Sequence, residues 1–438
     1  MIYKLLYKIP NTLFPYILEL ILRVYKLHAS KEKGILIINT HDRSGGASKI
    51  AYQVASYLKK EHSVNMLVKY KDREDEWINE LASNEEVFDS TLVNYLNDQE
   101  KAGSWLDFSK ISFITSPNVV FLNRAEVIHF HNLHGGYFSY ALLPFLSKYK
   151  KLIWTLHDEH AITGHCSFTM KCDRWKSGCS TCEFLSVYPA IQKDNARELK
   201  RFKERWIKKS NIVFVTPSYW LSKRVKEVYP FIEEVQVIPN GIDTILFKQR
   251  NKKESRSTFN LPPEKFLVLF IAEYATDNPF KGGETIRELI RLNTNENIVF
   301  VTIGGKSQVE SLNLIEIPYI KNENDLALLY SACDIMLYPT NADNHPLVVL
   351  EAMSCMLPVL APKIGGIPEI ISEGKDGWLV EAYAKPQVYL ETLNEIFGLR
   401  QANNDSFFDF GEHAREKIET TFSQDQMFNM YKDLYSKI

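Results

Sequence analysis

The sequence predicts an α/β protein built on doubly wound parallel sheets. Apolar runs of strand length recur along the chain, each followed by a turn and then a stretch of helical character: Gly34–Asn39 (GILIIN), Val127–His131 (VIHFH), Lys151–Leu156, Asn211–Thr216 (NIVFVT), Phe266–Glu273 and Ile298–Ile303. Near-continuous apolar runs suit parallel strands covered on both faces. Glycine pairs stand in the turns after several strands, among them Gly45-Gly46, Gly304-Gly305 and Gly365-Gly366. The stretch from Asp334 to Ile371 compresses the whole pattern into one unit.

That unit opens with a buried strand, Ile335–Tyr338, and turns at Pro339. Pro346 to Met356 reads as a helix with proline at its first position, where the missing N–H costs nothing. A second strand, Pro358–Ala361, the Gly365-Gly366 turn and a helix from Pro368 follow. In a parallel sheet, ligands sit at the carboxyl ends of the strands. Asp343 falls in such a loop, and Glu351 lies about two turns inside the helix, ~12 Å away at most at ~1.5 Å rise per residue. The pair can reach two parts of one extended ligand. Backbone N–H groups left free at the Gly365-Gly366 turn favour phosphate. Two hydroxyl-accepting carboxylates beside a phosphate nest point to a sugar nucleotide.

Length and composition set the bounds. At 438 residues the chain has room for two or three domains with cores of their own. Apolar residues make up 45% and charged residues 24%, the proportions of a globular protein, and the net charge of −2 gives no basic field for nucleic acid. No cleavable signal stands out and no run of about 18 uncharged apolar residues exists, so the chain is not expected to span a membrane. Residues 1–33 form an amphipathic extension, with Leu5, Leu13, Phe14, Ile17, Leu20 and Val24 set among Lys4, Lys8, Arg23, Lys26 and Lys31. It reads either as an interfacial helix on an anionic membrane surface or as a helix packed on the body of the protein.

Other loops add candidates. A Gly45-Gly46 loop between strand and helix can approach a diphosphate closely. The strand Lys151–Leu156 ends in His157-Asp158-Glu159. Lys281-Gly282 stands at a strand–loop–helix junction, where a lysine neutralises phosphate charge. Ser218 is a natural N-cap for a helix running to Val228. Ala190–Lys209 reads as a long basic helix with a solvated face, and Asn251–Pro263 as a polar surface connection.

These motifs together resemble the retaining family-4 glycosyltransferases of group 1, polysaccharide-biosynthesis type. Asp343 to Glu351 is similar to their E-x7-E motif, reinforced by E-A-M-x-C-x-x-P-V, by G-G-I-P-E-I and by P-N-G-I-D at Pro239–Asp243. The resemblance runs from Gly34 to the C-terminus and implies a GT-B fold, two Rossmann-like domains facing a central cleft. It implies an N-terminal acceptor domain at 34–238, a nucleotide-sugar donor domain at 239–422, and a C-terminal helix at 423–438 crossing back to the first domain. It also implies transfer of a sugar from a UDP- or GDP-type donor to a glycan or lipid-linked acceptor in cell-surface polysaccharide synthesis. The implied location is cytoplasmic, peripheral at the inner face of the membrane.

By this resemblance Glu351 holds the ribose, Asp343 and Asn344 contact the transferred sugar, and Lys281 with the Gly45, Gly46, Gly365 and Gly366 amides stabilises the departing diphosphate. His157 stands beside the transferred sugar, and Asp158 and Glu159 are on the acceptor side. No Asp-x-Asp motif stands near the donor loops, so no catalytic metal is expected. Two departures stand out: the first acid is an aspartate, and Thr276 occupies the place of the usual phosphate-binding arginine, leaving Lys281, Arg43 or Lys306 to substitute. The alternatives are a non-catalytic membrane-associated protein of this fold and another nucleotide-sugar enzyme such as an epimerase.

Cys166, Cys172, Cys179 and Cys182 lie in the insert 164–183, and only the last pair has the C-x2-C spacing common in zinc sites. A structural zinc, two disulfides or four free thiols are the arrangements open to them, with the zinc preferred.

Overall fold

The computed structural model describes residues 33–81, 119–271, 280–304, 309–402 and 404–438. Residues 1–32 of the N-terminal extension, Thr276 and Lys306 lie outside these residues. The chain divides into two compact units. Of the described residues, the first contains those up to Thr216, Ser222–Val237 and Tyr435–Ile438; the second contains Pro217–Leu221 and those from Ile238 to Leu434.

In the first unit, β1 (Gly34–His41), α1 (Gly46–Leu58), β2 (Val64–Tyr70), β3 (Ile78–Glu80), α2 (Val119–Arg124), β4 (Ala125–Phe130), α3 (Leu143–Tyr149) and β5 (Lys151–Thr155) lead to the cysteine-bearing insert, which contains the short helix α4 (Arg174–Ser177). There follow α5 (Ala196–Lys208), β6 (Ile212–Thr216), α6 (Tyr219–Val228), whose residues up to Leu221 belong to the second unit, and β7 (Val235–Val237). Among the described residues the strands form one parallel sheet in the order β3-β2-β1-β4-β5-β6-β7.

The second unit repeats the plan. Its elements are α7 (Lys252–Thr258), β8 (Phe266–Ile271), α8 (Gly283–Leu292), β9 (Ile298–Ile303), β10 (Leu314–Ile317), α9 (Glu323–Ala332), β11 (Ile335–Leu337) and α10 (Leu347–Ser354). After these come β12 (Val359–Pro362), α11 (Ile367–Ile370), β13 (Gly377–Val380), α12 (Pro386–Ala402), α13 (Asn404–Thr421) and α14 (Gln424–Lys437), whose residues from Tyr435 on belong to the first unit. Its parallel sheet has the order β10-β9-β8-β11-β12-β13. Both orders are the Rossmann order. Each sheet reverses winding once, between β1 and β4 and between β8 and β11, and ligands of such sheets bind outside the strand ends at that point.

Strand burial follows the apolar runs. Every residue of β9 and all but the last of β8 are buried. Phe266, Val268, Phe270 and Phe300 pack against Ile286 and Leu289 of α8 and Leu393 and Ile396 of α12. Each such side chain contributes roughly 1.5–3 kcal/mol on leaving water.

Two sequence expectations are overturned. The basic helix begins at Ala196, not Ala190, and Lys200 and Lys203 are buried instead of solvated. Their ammonium groups reach backbone carbonyls, Lys200 that of Trp175 and Lys203 that of His160. The Asn251–Pro263 stretch is likewise no plain surface connection. Asn251 caps α7, whose Arg256 is buried and donates to Asp334 Oδ2 at 2.7 Å and to the Ala332 carbonyl at 2.9 Å. Asp334 also pairs with Lys252 at 2.5 Å and Arg400 at 3.0 Å and accepts the Leu267 amide at 2.7 Å. One fully buried carboxylate thus ties α7, β8 and α12 to the start of β11.

Candidate functional site

In the second unit, β11 delivers Tyr338 and Pro339 to the strand end, and α10 starts one residue later than its sequence indicates. Pro346 is the N-cap, with extended ψ of 122°, and the helix begins at Leu347. The loop between them is fastened to the turn after β8: Thr340 Oγ1 donates to the Phe280 carbonyl at 2.8 Å and the Asn341 amide to the same oxygen at 2.7 Å. Gly282 next to it has φ of 75°, and a Cβ there would stand 1.8 Å from the Pro339 carbonyl. Only glycine allows this approach, which brings Lys281 onto the acidic loop.

Lys281 Nζ donates to Asp343 Oδ2 and, at 2.9 Å, to Tyr338 Oη, while Tyr338 Oη donates to Asp343 Oδ2 at 2.5 Å. The other carboxylate oxygen accepts the Asn344 amide at 2.8 Å. Burial opposes the Lys281 charge, but Asp343 and then Tyr338 outweigh it and hold the ammonium pKa above the usual lysine value. Burial and then Asp343 push the Tyr338 phenol up as well. Tyr338 was not singled out in the sequence, where it read only as the end of a buried strand. Glu351, 4% exposed, accepts from Tyr330 Oη of α9 at 2.9 Å. Burial first and Glu351 second raise the Tyr330 pKa, so the phenol stays a donor to the carboxylate.

The Gly365-Gly366 turn has a different job from the one expected. The Gly366 amide donates to the Asn344 carbonyl at 3.0 Å instead of standing free for phosphate. Gly365 has φ of 61°, and a Cβ there would lie 1.7 Å from the Asp343 carbonyl. The glycines let the turn pack directly on the backbone of the acidic loop. Asn344 Oδ1 accepts from Ser218 Oγ at 2.5 Å, and Glu369 of α11 accepts the amides of Tyr219 at 2.9 Å and Trp220 at 2.7 Å. Ser218 Oγ also accepts the Leu221 amide at 3.1 Å, the expected N-cap. The P-N-G-I-D turn supports the same loop, since Asn240 Nδ2 donates to the His345 carbonyl at 2.8 Å.

In the first unit, α1 begins at Gly46 behind Gly45, whose φ is 83°. Its positive dipole end therefore lies at the carboxyl end of β1. Arg43 is exposed in this loop, and Asp42, fully buried, accepts the amides of Asp72 at 3.0 Å and Arg73 at 2.9 Å. The ends of β4 and β5 carry a set of histidines. His129 Nε2 meets Thr155 Oγ1 at 2.8 Å and its Nδ1 meets Tyr435 Oη at 2.8 Å. His131 Nδ1 meets His157 Nε2 at 2.8 Å, and His134 Nε2 meets Asp158 Oδ2 at 2.8 Å. Burial, then proximity to His157, lowers the His129 pKa to about 3, and burial lowers that of His157 to about 4. The His129 and His157 imidazoles are neutral at pH 7. Burial works against the Asp158 carboxylate, but His134 and the His160 amide overcome it and leave the pKa below the usual aspartate value.

Glu159 is turned inward, 1% exposed, and accepts from the Thr169 amide at 2.8 Å, from the Thr169 hydroxyl and from Arg224. It braces the cysteine-bearing loop against α6 instead of standing on an open acceptor side. Cys166, Cys172, Cys179 and Cys182 all line one cavity of that loop, together with His165, whose Nε2 lies 3.4 Å from Cys182 Sγ. All four are free thiols, and among the described residues no three His, Cys, Asp or Glu side chains converge as a metal site. Burial holds the Cys166 thiol up at about 12, and burial lowers neighbouring Lys203 to about 7.

Two Rossmann-type units, with a lysine–tyrosine–aspartate cluster at the switch point of one and a glycine turn and histidines at that of the other, define a GT-B-type transferase architecture. The sequence pattern of "Glycosyl transferases group 1" matches residues 251–416, and that of "Glycosyltransferase Family 4" matches residues 44–246. The chain belongs to this glycosyltransferase family. A curated relative, "Putative colanic acid biosynthesis glycosyl transferase WcaC" of Escherichia coli, is 26% identical over 71% of this chain and 76% of its own length. Among solved structures, sucrose-phosphate synthase from Thermosynechococcus elongatus superposes with a TM-score of 0.67 at 16% identity, covering 93% of this chain and 99% of that one. Anabaena Alr3699/HepE, solved in complex with UDP and glucose, gives 0.63 at 13% identity, covering 93% and 100%.

Proposed function

We propose that this glycosyltransferase moves a sugar from a UDP- or GDP-type nucleotide sugar, with retention, to a glycan or lipid-linked acceptor in cell-surface polysaccharide synthesis. The observation that carries this reading is the Lys281–Tyr338–Asp343 cluster, with Glu351 on the helix α10 that follows the Asp343 loop. A lysine held charged by an aspartate can turn to a diphosphate as that group gains negative charge. Such a donor is worth roughly 3–4 kcal/mol at the transition state, by comparison with oxyanion holes. Asp343, released, accepts from sugar hydroxyls, and Glu351, oriented by Tyr330, accepts from the ribose. Gly45 and Gly46 are assigned to the same diphosphate. Neutral His157 contacts the transferred sugar, and Asp158 belongs to the acceptor. The colanic acid relative and the UDP-bound neighbour support the substrate class.

A panel of nucleotide sugars tests the reading. Without added metal, one donor is expected to release free nucleotide diphosphate with the wild type and not with Glu351→Ala. Binding without release from any donor would favour the non-catalytic alternative, and isomerised donor the epimerase. Peripheral attachment to the inner face of the membrane rests on residues 1–33 and is tested with anionic vesicles; among the described residues no helix is long and apolar enough to cross a membrane. The structural zinc would require the four sulfurs to draw together. Stoichiometric zinc in purified protein would support it, and metal-free folded protein would remove it.

A further inference from the structure

The histidine at the end of β5 is not placed by its own strand alone. His131 Nδ1 and His157 Nε2 are 2.8 Å apart, the two rings are inclined by only 17°, and their centroids are 5.1 Å apart. That separation is too long for a face-on stack. It is the separation of two imidazoles meeting nitrogen to nitrogen in nearly one plane, the geometry of a straight N–H···N bond. His131 is itself fixed: its amide donates to the Ile38 carbonyl at 2.9 Å, and its carbonyl accepts from Trp154 Nε1 at 2.8 Å. The ring lies against His129 at 4.4 Å between centroids and is 1% exposed.

The remaining nitrogen decides which way the proton points. His131 Nε2 is buried and meets no hydrogen-bond partner. A neutral imidazole carries one proton. On Nε2 that proton would be an orphaned buried N–H; on Nδ1 it is matched by His157 Nε2. Buried donors are left unmatched more rarely than buried acceptors, so Nδ1 is the favoured position. A second proton on the ring is disfavoured by burial and by His129 and His157 alongside.

We infer that His131 is a positioning residue: it donates from Nδ1 to His157 Nε2, fixing the plane of the His157 ring and the tautomer in which His157 carries its own proton on Nδ1. The His157 ring is then uncharged and fixed in its plane. The tautomer follows from the first unit's geometry alone; its value to catalysis rests on the proposed transfer of a sugar beside His157.

The test combines spectroscopy with kinetics. In free protein labelled with 15N-histidine, with His157→Gln used for assignment, His157 is expected to show the pattern of a neutral ring protonated on Nδ1. His131→Asn retains a donor near the same place and is expected to keep that pattern. His131→Leu removes it, and with it an unmatched buried nitrogen, so the fold is expected to hold while the His157 signals change tautomer. With a donor that the wild type turns over, kcat is expected to fall about tenfold in His131→Leu, with donor KM little changed, and to stay within about threefold in His131→Asn. A wild-type His157 protonated on Nε2, or a Leu variant indistinguishable from the Asn variant in tautomer and rate, would overturn the inference. Absence of turnover from every donor would strike the proposed function instead, and the spectra of the free protein would still decide the tautomer.

Discussion

Replacing Lys281 by methionine separates its structural role from its chemical one. Asp343 and Lys281 have side chains 12% and 28% exposed, so removing the ammonium leaves a mostly buried carboxylate without its counter-charge. Breaking a fully buried pair costs about 3–5 kcal/mol. Here the Tyr338 hydroxyl and the Asn344 amide remain on the carboxylate, and water reaches the lysine side, which brings the expected loss to about 2 kcal/mol. For a unit of this size that is a fall in melting temperature of about 4–8 °C. Lys281→Met combined with Asp343→Asn removes both charges and is expected to recover most of the lost stability. Activity should not recover. The leaving diphosphate loses its donor in both proteins, so release of nucleotide should drop about 10²–10³-fold in each. Thermal melts and a nucleotide-release assay on wild type, both single variants and the double variant measure the two effects side by side. A Lys281→Met protein turning over donor within threefold of wild type would refute the assignment, and a double variant no more stable than Lys281→Met would refute the pairing.

Other perturbations follow from the same structure. Arg224→Leu strands Glu159 in the interior and is expected to cost about 3 kcal/mol in chemical denaturation, with partial recovery on adding Glu159→Gln; a neutral result would mean that the pair does not brace the insert. Asp334→Asn removes the counter-charge of buried Arg256 and should destabilise the second unit by a similar amount, whereas the exposed pair Lys363–Glu381 should be nearly silent to substitution. Stability should fall on acidification. The folded pKa of His129, about 3, lies below the unfolded value of about 6.5, so between those values the unfolded chain binds the extra proton. The contribution is fully present above about pH 6.5 and is lost as pH falls through that window, by up to ~1.4 kcal/mol per pH unit. Urea midpoints of wild type and His129→Gln from pH 7 to 4 check this; equal slopes would mean that the ring is not held neutral.

Residue order alone determined the strands, the turns at their ends and the motifs of the family. An apolar run such as Phe266–Ile271 can be satisfied only by burial on both faces, and a glycine pair or Asx-rich turn after it leaves few local conformations. Asp343, Glu351 and Lys281 were legible as candidates because their places relative to strand ends are local facts. What those groups touch was not. Tyr338 read only as the end of a buried strand and Tyr330 was not singled out, yet their hydroxyls orient the two carboxylates. Gly366 looked like a free phosphate donor, but the acidic loop folds back and takes its amide. Lys200, Lys203 and Arg256 read as solvated because charge usually stays in water; carbonyls and a carboxylate from distant segments made their burial affordable. His131 read only as the end of an apolar run until β4 and β5 lay side by side. Sequence fixes the backbone's local choices through sterics and burial, whereas hydrogen-bond partners depend on which strands become neighbours, and only the packed sheet decides that.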